Sequence, residues 1–97
     1  MARLRVVVRP SAGVGGYSLF VDGLPATMGA GHRGEARCTG RCGDGSRHSL
    51  LYAFTGALGA TLSIVLRCRG REVCRIGAAR IGGTGPGRSV GRRLFDL

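Results

Sequence analysis

Residues 48–81, HSLLYAFTGALGATLSIVLRCRGREVCRIGAARI, decide the fold. This is the longest apolar part of the chain. Within it one parity holds Ala60, Leu62, Ile64, Leu66 and Cys68, while the other holds Thr61, Ser63, Val65, Arg67 and Arg69. A period of two is the mark of a strand with one face buried and one wetted. A helix would scatter Thr61, Ser63 and Arg67 around its circumference. Leu50, Tyr52 and Phe54 continue the alternation upstream, and the glycines Gly56 and Gly59 predict a hairpin loop over residues 55–59. That hairpin would set Phe54 opposite Ala60, Tyr52 opposite Leu62 and Leu50 opposite Ile64.

A second turn falls at Arg69-Gly70-Arg71-Glu72. Centring it on Gly70-Arg71 pairs Arg69 with Glu72 but brings Arg75 opposite Leu66. The neighbouring register pairs Leu66 with Ile76 and Cys68 with Cys74. A one-residue slip exchanges the two faces of a strand, and apolar burial outweighs one exposed ion pair. The sequence therefore predicts Cys68 and Cys74 as cross-strand neighbours, close enough for a disulfide.

One competing reading covers the same region. Residues 49–66 form an uncharged run of 18 between Arg47 and Arg67, near the lower limit of a membrane-spanning helix. The alternation and the turn-like glycines favour strands.

Outward from this centre, Leu4, Val6 and Val8 alternate with Arg3, Arg5 and Arg9 until Pro10 closes the ladder. Residues 17–21 form a second strand, and Asp22-Gly23 is a strong hairpin signal. Residues 24–28 return as a short strand broken by Pro25. Residues 29–34 form a glycine loop carrying His32, and residues 35–42 a strand with Ala36, Cys38 and Cys42 inward. Residues 82–91 are expected to be a flexible glycine-rich segment before a short C-terminal strand or tail. Seven or eight short strands without a convincing helix make an all-β chain: one small antiparallel β-sandwich, immunoglobulin-like or jelly-roll-like in outline.

Ninety-seven residues suffice for one domain with a modest core. The net charge of +10 points toward nucleic acid or another anionic surface. Yet all 15 basic residues are Arg, and Lys, Asn, Gln and Trp are missing. A GC-rich coding sequence produces the same excess of Arg, Gly and Ala, so net charge alone does not establish an anionic partner. The residues placed to contact one are Arg67, Arg69, Arg71 and Arg75, with Arg3, Arg5 and Arg9 beside them. No aromatic platform for base stacking accompanies them.

Chemistry is sparsely represented. Cys38-x3-Cys42 and Cys68-x5-Cys74 do not have the tight pairing usual in structural zinc sites, so no metal and no cofactor is expected, and all four cysteines read as small inward residues. His48 reads as a strand-end residue bonded to backbone, and His32 as a solvated loop residue. Asp22 and Asp44 precede glycines in turns, where their carboxylates bond local backbone. With Glu35, Glu72 and Asp96 the only other acids, the chain offers no carboxylate pair and no nucleophile elbow. No catalytic residue is assigned and no enzyme is expected. Residues 1–9 do not resemble a signal peptide, which favours a cytoplasmic setting. Three classes remain. The first is a non-catalytic module binding a protein, a glycan or an assembly surface through loops or a sheet edge. The others are a sequence-indifferent nucleic-acid binder using an Arg-rich sheet face, and a single-span membrane protein.

Overall fold

In the computed structural model, which describes residues 1–82 and 87–97, the alternation becomes a small antiparallel β-sandwich. β1 (Ala2–Pro10) shows the rule in its simplest form: Ala2, Leu4, Val6 and Val8 are buried while Arg3, Arg5 and Arg9 are exposed. Nine strands occur among the described residues. After β1 come β2 (Val14–Val21), β3 (Leu24–Pro25), β4 (Thr27–Met28), β5 (Arg33–Cys38), β6 (Arg47–Gly56), β7 (Thr61–Cys68), β8 (Arg71–Arg80) and β9 (Gly87–Asp96). The five-stranded sheet has the order β4-β5-β1-β7-β8 and the four-stranded sheet the order β3-β2-β6-β9. Between them lies one core, in which Leu4, Val6, Leu50, Leu62, Ile64 and Leu66 have no exposed surface.

The hairpin expected over residues 55–59 is not formed. β6 pairs with β2 and β9, and β7 pairs with β1 and β8, so the two lie in different sheets. The segment between them is a crossover, tied by Ala57 N–H to the Gly13 carbonyl and by Gly59 N–H to that of Ile81. Leu50, Phe54 and Ile64 do bury together, but across the gap between sheets. Alternation reports which face is covered and not which strand lies alongside. The helix assumed by the membrane reading of residues 49–66 is not formed either, since the run is divided between two strands. Among the described residues no helix is long and apolar enough to cross a membrane.

Near the turn the β7–β8 register differs from both sequence alternatives, and past a second irregularity between Leu62 and Ile64 the pairs Thr61↔Arg80 and Leu62↔Ala79 return to the turn-centred one. Cys68 stands opposite Arg71, Arg67 opposite Glu72, Leu66 opposite Cys74 and Ile64 opposite Ile76. The turn is centred on Arg69-Gly70, both at positive φ (50° and 80°), as two-residue hairpin turns require. Val73 is then an extra residue between Leu66 and Arg67 in the ladder. This β-bulge satisfies the turn and still turns Cys74 and Ile76 inward. Burial selected the face, as expected, but turn geometry selected the pairing.

Asp22-Gly23 is the second such turn, with φ of 50° and 82°, and it joins Val21 to Leu24. The strand expected over residues 24–28 is split. β3 belongs to one sheet and β4 to the other, with only Ala26 between them. β5 starts at Arg33 and stops at Cys38 rather than Cys42, because Gly40, Gly43 and Gly45 all take positive φ. The C-terminal strand is longer than expected: β9 begins at Gly87 and pairs with the whole of β6, from Gly56↔Gly87 to Arg47↔Asp96. Of the segment expected to be flexible, residues 83–86 lie outside the described residues. At Gly91 a Cβ would collide with the Tyr52 ring, which lies across β9 where that strand has no side chain.

Candidate functional site

The outer face of the five-stranded sheet gathers Arg3, Arg5, Arg9, Arg33, Arg37, Arg67 and Arg75, while Arg47, Arg88, Arg92 and Arg93 belong to the other sheet. On β1, Arg3, Arg5 and Val7 stand opposite Arg37, Glu35 and Arg33 of β5. On the other side, Arg5, Val7 and Arg9 stand opposite Arg67, Val65 and Ser63 of β7. β8 adds Glu72 opposite Arg67 and Arg75 opposite Val65. Alternate residues on a strand are about 6.6–6.8 Å apart and neighbouring strands about 4.8 Å, so the guanidinium groups form a two-dimensional array. Arg3–Arg37 and Arg5–Arg67 are like-charge neighbours, an arrangement that destabilises a sheet.

Two acids moderate this field. Glu35 lies 3.9 Å from the Arg3 guanidinium. Glu72 accepts from Arg75 at 2.6 Å, and that hydrogen bond holds its carboxyl below the ordinary glutamate pKa while raising that of Arg75. Arg5, Arg9, Arg33, Arg37 and Arg67 make no salt bridge among the described residues. A shallow depression is floored by Val7, Val65, Ser63 and Gly77 and walled by Arg9, Arg67 and Arg75. A second lies between Arg3, Arg5, Arg67 and Arg69. The first has the makings of an anion seat: half-buried apolar contacts below and charged donors around it.

Of the residues expected to contact anions, Arg67 and Arg75 lie on this face, and Arg69 stands in the turn at its end. Arg71 does not join them, because it stands opposite inward-facing Cys68. Arg3, Arg5 and Arg9 do join. Arg33 and Arg37 belong to the array as well, although the sequence carries no sign that β5 lies beside β1.

At one end of the sandwich a second cluster is organised around His48, which is 5% exposed. Its Nδ1 lies 2.6 Å from Asp22 Oδ2 and its Nε2 2.7 Å from Ser46 Oγ. Ser46 Oγ in turn donates to Asp44 Oδ1 at 2.6 Å. His48 therefore bonds side chains and not the backbone expected for it. Asp22 does not serve only its own turn, since it reaches His48 and accepts from Ser49 N–H. Asp44 behaves as expected of a turn aspartate, accepting from the N–H groups of Arg41 and Ser46.

The electrostatics follow from these contacts. Partial burial pushes the Asp22 carboxyl up, but the His48 ring and the Ser49 N–H outweigh it, and its pKa is lowered. The Ser46 hydroxyl and the two N–H groups hold Asp44 at about 2. Both carboxylates are thus acceptors. Ser46 has one hydroxyl proton and gives it to Asp44, which leaves only its lone pairs for the neighbouring Nε2 of His48. The connectivity resembles a Ser–His–Asp triad, but an acceptor at Nε2 is what activates a serine. Here the Ser46 proton is committed to Asp44.

The cysteines also differ from expectation. Cys68 is bonded to Cys42, with Cα atoms 5.7 Å apart, and not to Cys74. Cys38 and Cys74 are free and buried, and burial pushes both thiol pKa values up. The bulge at Val73 is the physical reason, since it leaves Leu66 and not Cys68 opposite Cys74. The Cys38 sulfur and the side-chain ligand atoms of Asp22 and His48 all lie within 4.8 Å of one another. His32, in a short 3-10 turn at Ala30–His32, is exposed but bonded, with Nδ1 2.7 Å from the Tyr17 hydroxyl.

Comparison of the chain with known protein families, curated proteins and solved structures finds no match.

Proposed function

We propose that this protein is a non-catalytic binding module that uses the outer face of its five-stranded sheet to hold nucleic acid by the phosphate backbone, without reading sequence. The observation that carries the reading is the pair of like-charge ladders, Arg3 opposite Arg37 and Arg5 opposite Arg67. Such neighbours weaken a sheet, and an anion bound between them turns repulsion into shared attraction. Charge-assisted donors of fixed fork geometry suit phosphate oxygens. The lack of an aromatic side chain among the residues paired across this face favours backbone contacts over base stacking. A codon bias would supply arginines anywhere, and Arg47, Arg88, Arg92 and Arg93 do lie in the other sheet, but the side-by-side stacking of Arg3 with Arg37 and of Arg5 with Arg67 belongs to this face.

The catalytic alternative is disfavoured because the Ser46 hydroxyl donates to Asp44 and is not activated by His48. The test is fluorescence anisotropy with labelled mixed-sequence single-stranded and duplex DNA across a salt series. Affinity should fall linearly on a log–log plot. Replacing Arg5 and Arg67 together with Thr should reduce the slope by about 1.4–1.8, as expected for two lost phosphate contacts. Absence of binding at low salt, or an unchanged slope in the folded double variant, would overturn the reading.

A further inference from the structure

We propose that Cys38, His48 and Asp22 form a zinc site that joins the two sheets. The donors come from different parts of the fold: Cys38 from the end of β5 in one sheet, His48 from β6 in the other, and Asp22 from the β2–β3 turn. Their ligand atoms lie within 4.8 Å of one another. Tetrahedral zinc with bonds of about 2.0–2.3 Å needs these atoms about 3.3–3.6 Å apart, so side-chain adjustment without a change of fold closes the site. The inference stands apart from the arginine face, which lies on the outer surface of one sheet.

Two further features point to a cation. The Cys38 thiol is 2% exposed, is not in a disulfide, and lies beside a carboxylate and an imidazole. In addition, His48 is oriented as a metal ligand is. A ligating histidine characteristically donates its other ring N–H to an acceptor that fixes the ring. Here Nε2 lies 2.7 Å from Ser46 Oγ, which can accept its N–H, and Asp44 holds Ser46 in place. Nδ1 is thereby left to face Asp22, within the group that includes Cys38. Zinc would replace the proton shared by His48 Nδ1 and Asp22, and the Cys38 thiol would lose its own. Thiolate and carboxylate then neutralise the divalent charge, while the exposed Asp22 leaves a fourth position for water. A mixed sulfur, nitrogen and oxygen donor set suits zinc and disfavours magnesium and calcium, which take oxygen ligands.

Cobalt(II) is the probe. The full chain, with the Cys42–Cys68 disulfide intact and no reductant, is titrated with cobalt and then with zinc. A thiolate-to-cobalt charge-transfer band and tetrahedral visible bands are expected, both bleached by an equimolar amount of zinc. Zinc should also raise the melting temperature. Cys38→Ser should abolish the charge-transfer band, and Cys74→Ser should retain it. Ser46→Ala, which touches no metal, should weaken affinity about 10–100-fold. Circular dichroism establishes that each variant is folded, and Asp22→Asn, altered at an exposed position, is a second ligand variant expected to bind more weakly. The proposal is overturned if the folded wild-type chain gives no charge-transfer band, if the band survives Cys38→Ser, or if it appears only after the disulfide is reduced.

Discussion

Arg5 and Arg67 stand directly opposite one another across the β1–β7 ladder, both exposed on the same face. The acids on either side do not relieve them fully, because Glu35 is also drawn to Arg3 and Glu72 to Arg75. A double-mutant cycle replacing each with Thr should give an unfavourable coupling of about 0.2–1 kcal/mol at low salt. Because the pair is solvent-exposed, the coupling should shrink as salt rises. Denaturant melts of the four proteins at two ionic strengths measure it. A favourable coupling would mean that the pair is structural.

The Cys42–Cys68 bond closes a loop with a sequence separation of 26. On the chain-entropy estimate such a loop contributes about 3–4 kcal/mol by restricting the unfolded chain. That is a large share of the stability of a small domain. Reduction should lower the denaturant midpoint accordingly. Non-reducing peptide mapping should recover Cys42 joined to Cys68, with Cys38 and Cys74 alkylated only after unfolding.

Acid should weaken the fold through the segment that carries Ser46. Asp44 has a pKa lowered from 3.8 to about 2 by its hydrogen bonds. A group whose folded pKa is depressed stabilises above its unfolded value, and that contribution is lost as pH falls through the folded value. The window therefore runs from about pH 4 down to about pH 2, and Asp22, also lowered, acts in the same direction. Asp44→Asn should be less stable at neutral pH and should show a flatter decline over that window. Melting curves from pH 2 to pH 7 check it.

Tyr52 occupies the space that a side chain at Gly91 would need. Gly91→Ala should displace the ring and cost about 1–3 kcal/mol, the usual range for overpacking. In a Tyr52→Ala background the same substitution should cost far less. Equal costs in both backgrounds, measured by chemical denaturation, would show that the ring moves aside freely.

What was legible in the sequence was the facing of side chains. Leu4, Val6 and Val8, and Leu62, Ile64 and Leu66, declare themselves inward because alternation is a local property of a half-buried strand. What was not legible was adjacency. Leu50 and Ile64 bury together whether their strands are neighbours in a sheet or face each other across the core, and the pattern is the same. The β7–β8 register failed for a related reason. Turn geometry and burial exclude one another only in a regular ladder, and the bulge at Val73 satisfies both. That extra residue set Cys74 beside Leu66 and left Cys68 to Cys42. The His48 cluster was hidden by distance along the chain, since Asp22 lies 26 residues from the ring it binds. Arg37 was readable as outward, opposite in parity to Ala36 and Cys38, and Arg33 fell in an expected loop, but their place in the array needs the β1–β5 pairing.

The crossing at Ala26 makes the two flanks of the sandwich unequal. On that flank, strands two residues long, β3 and β4, are the outermost members of their sheets, and the chain passes directly between them. The opposite flank ends in β8 and β9, each ten residues long, bridged by the Arg93 side chain donating to the Arg75 carbonyl. Short edges offer little ladder to a second chain, whereas long ones offer a full row of backbone donors and acceptors. Strand-to-strand association would therefore favour the flank of β8 and β9 over that of β3 and β4.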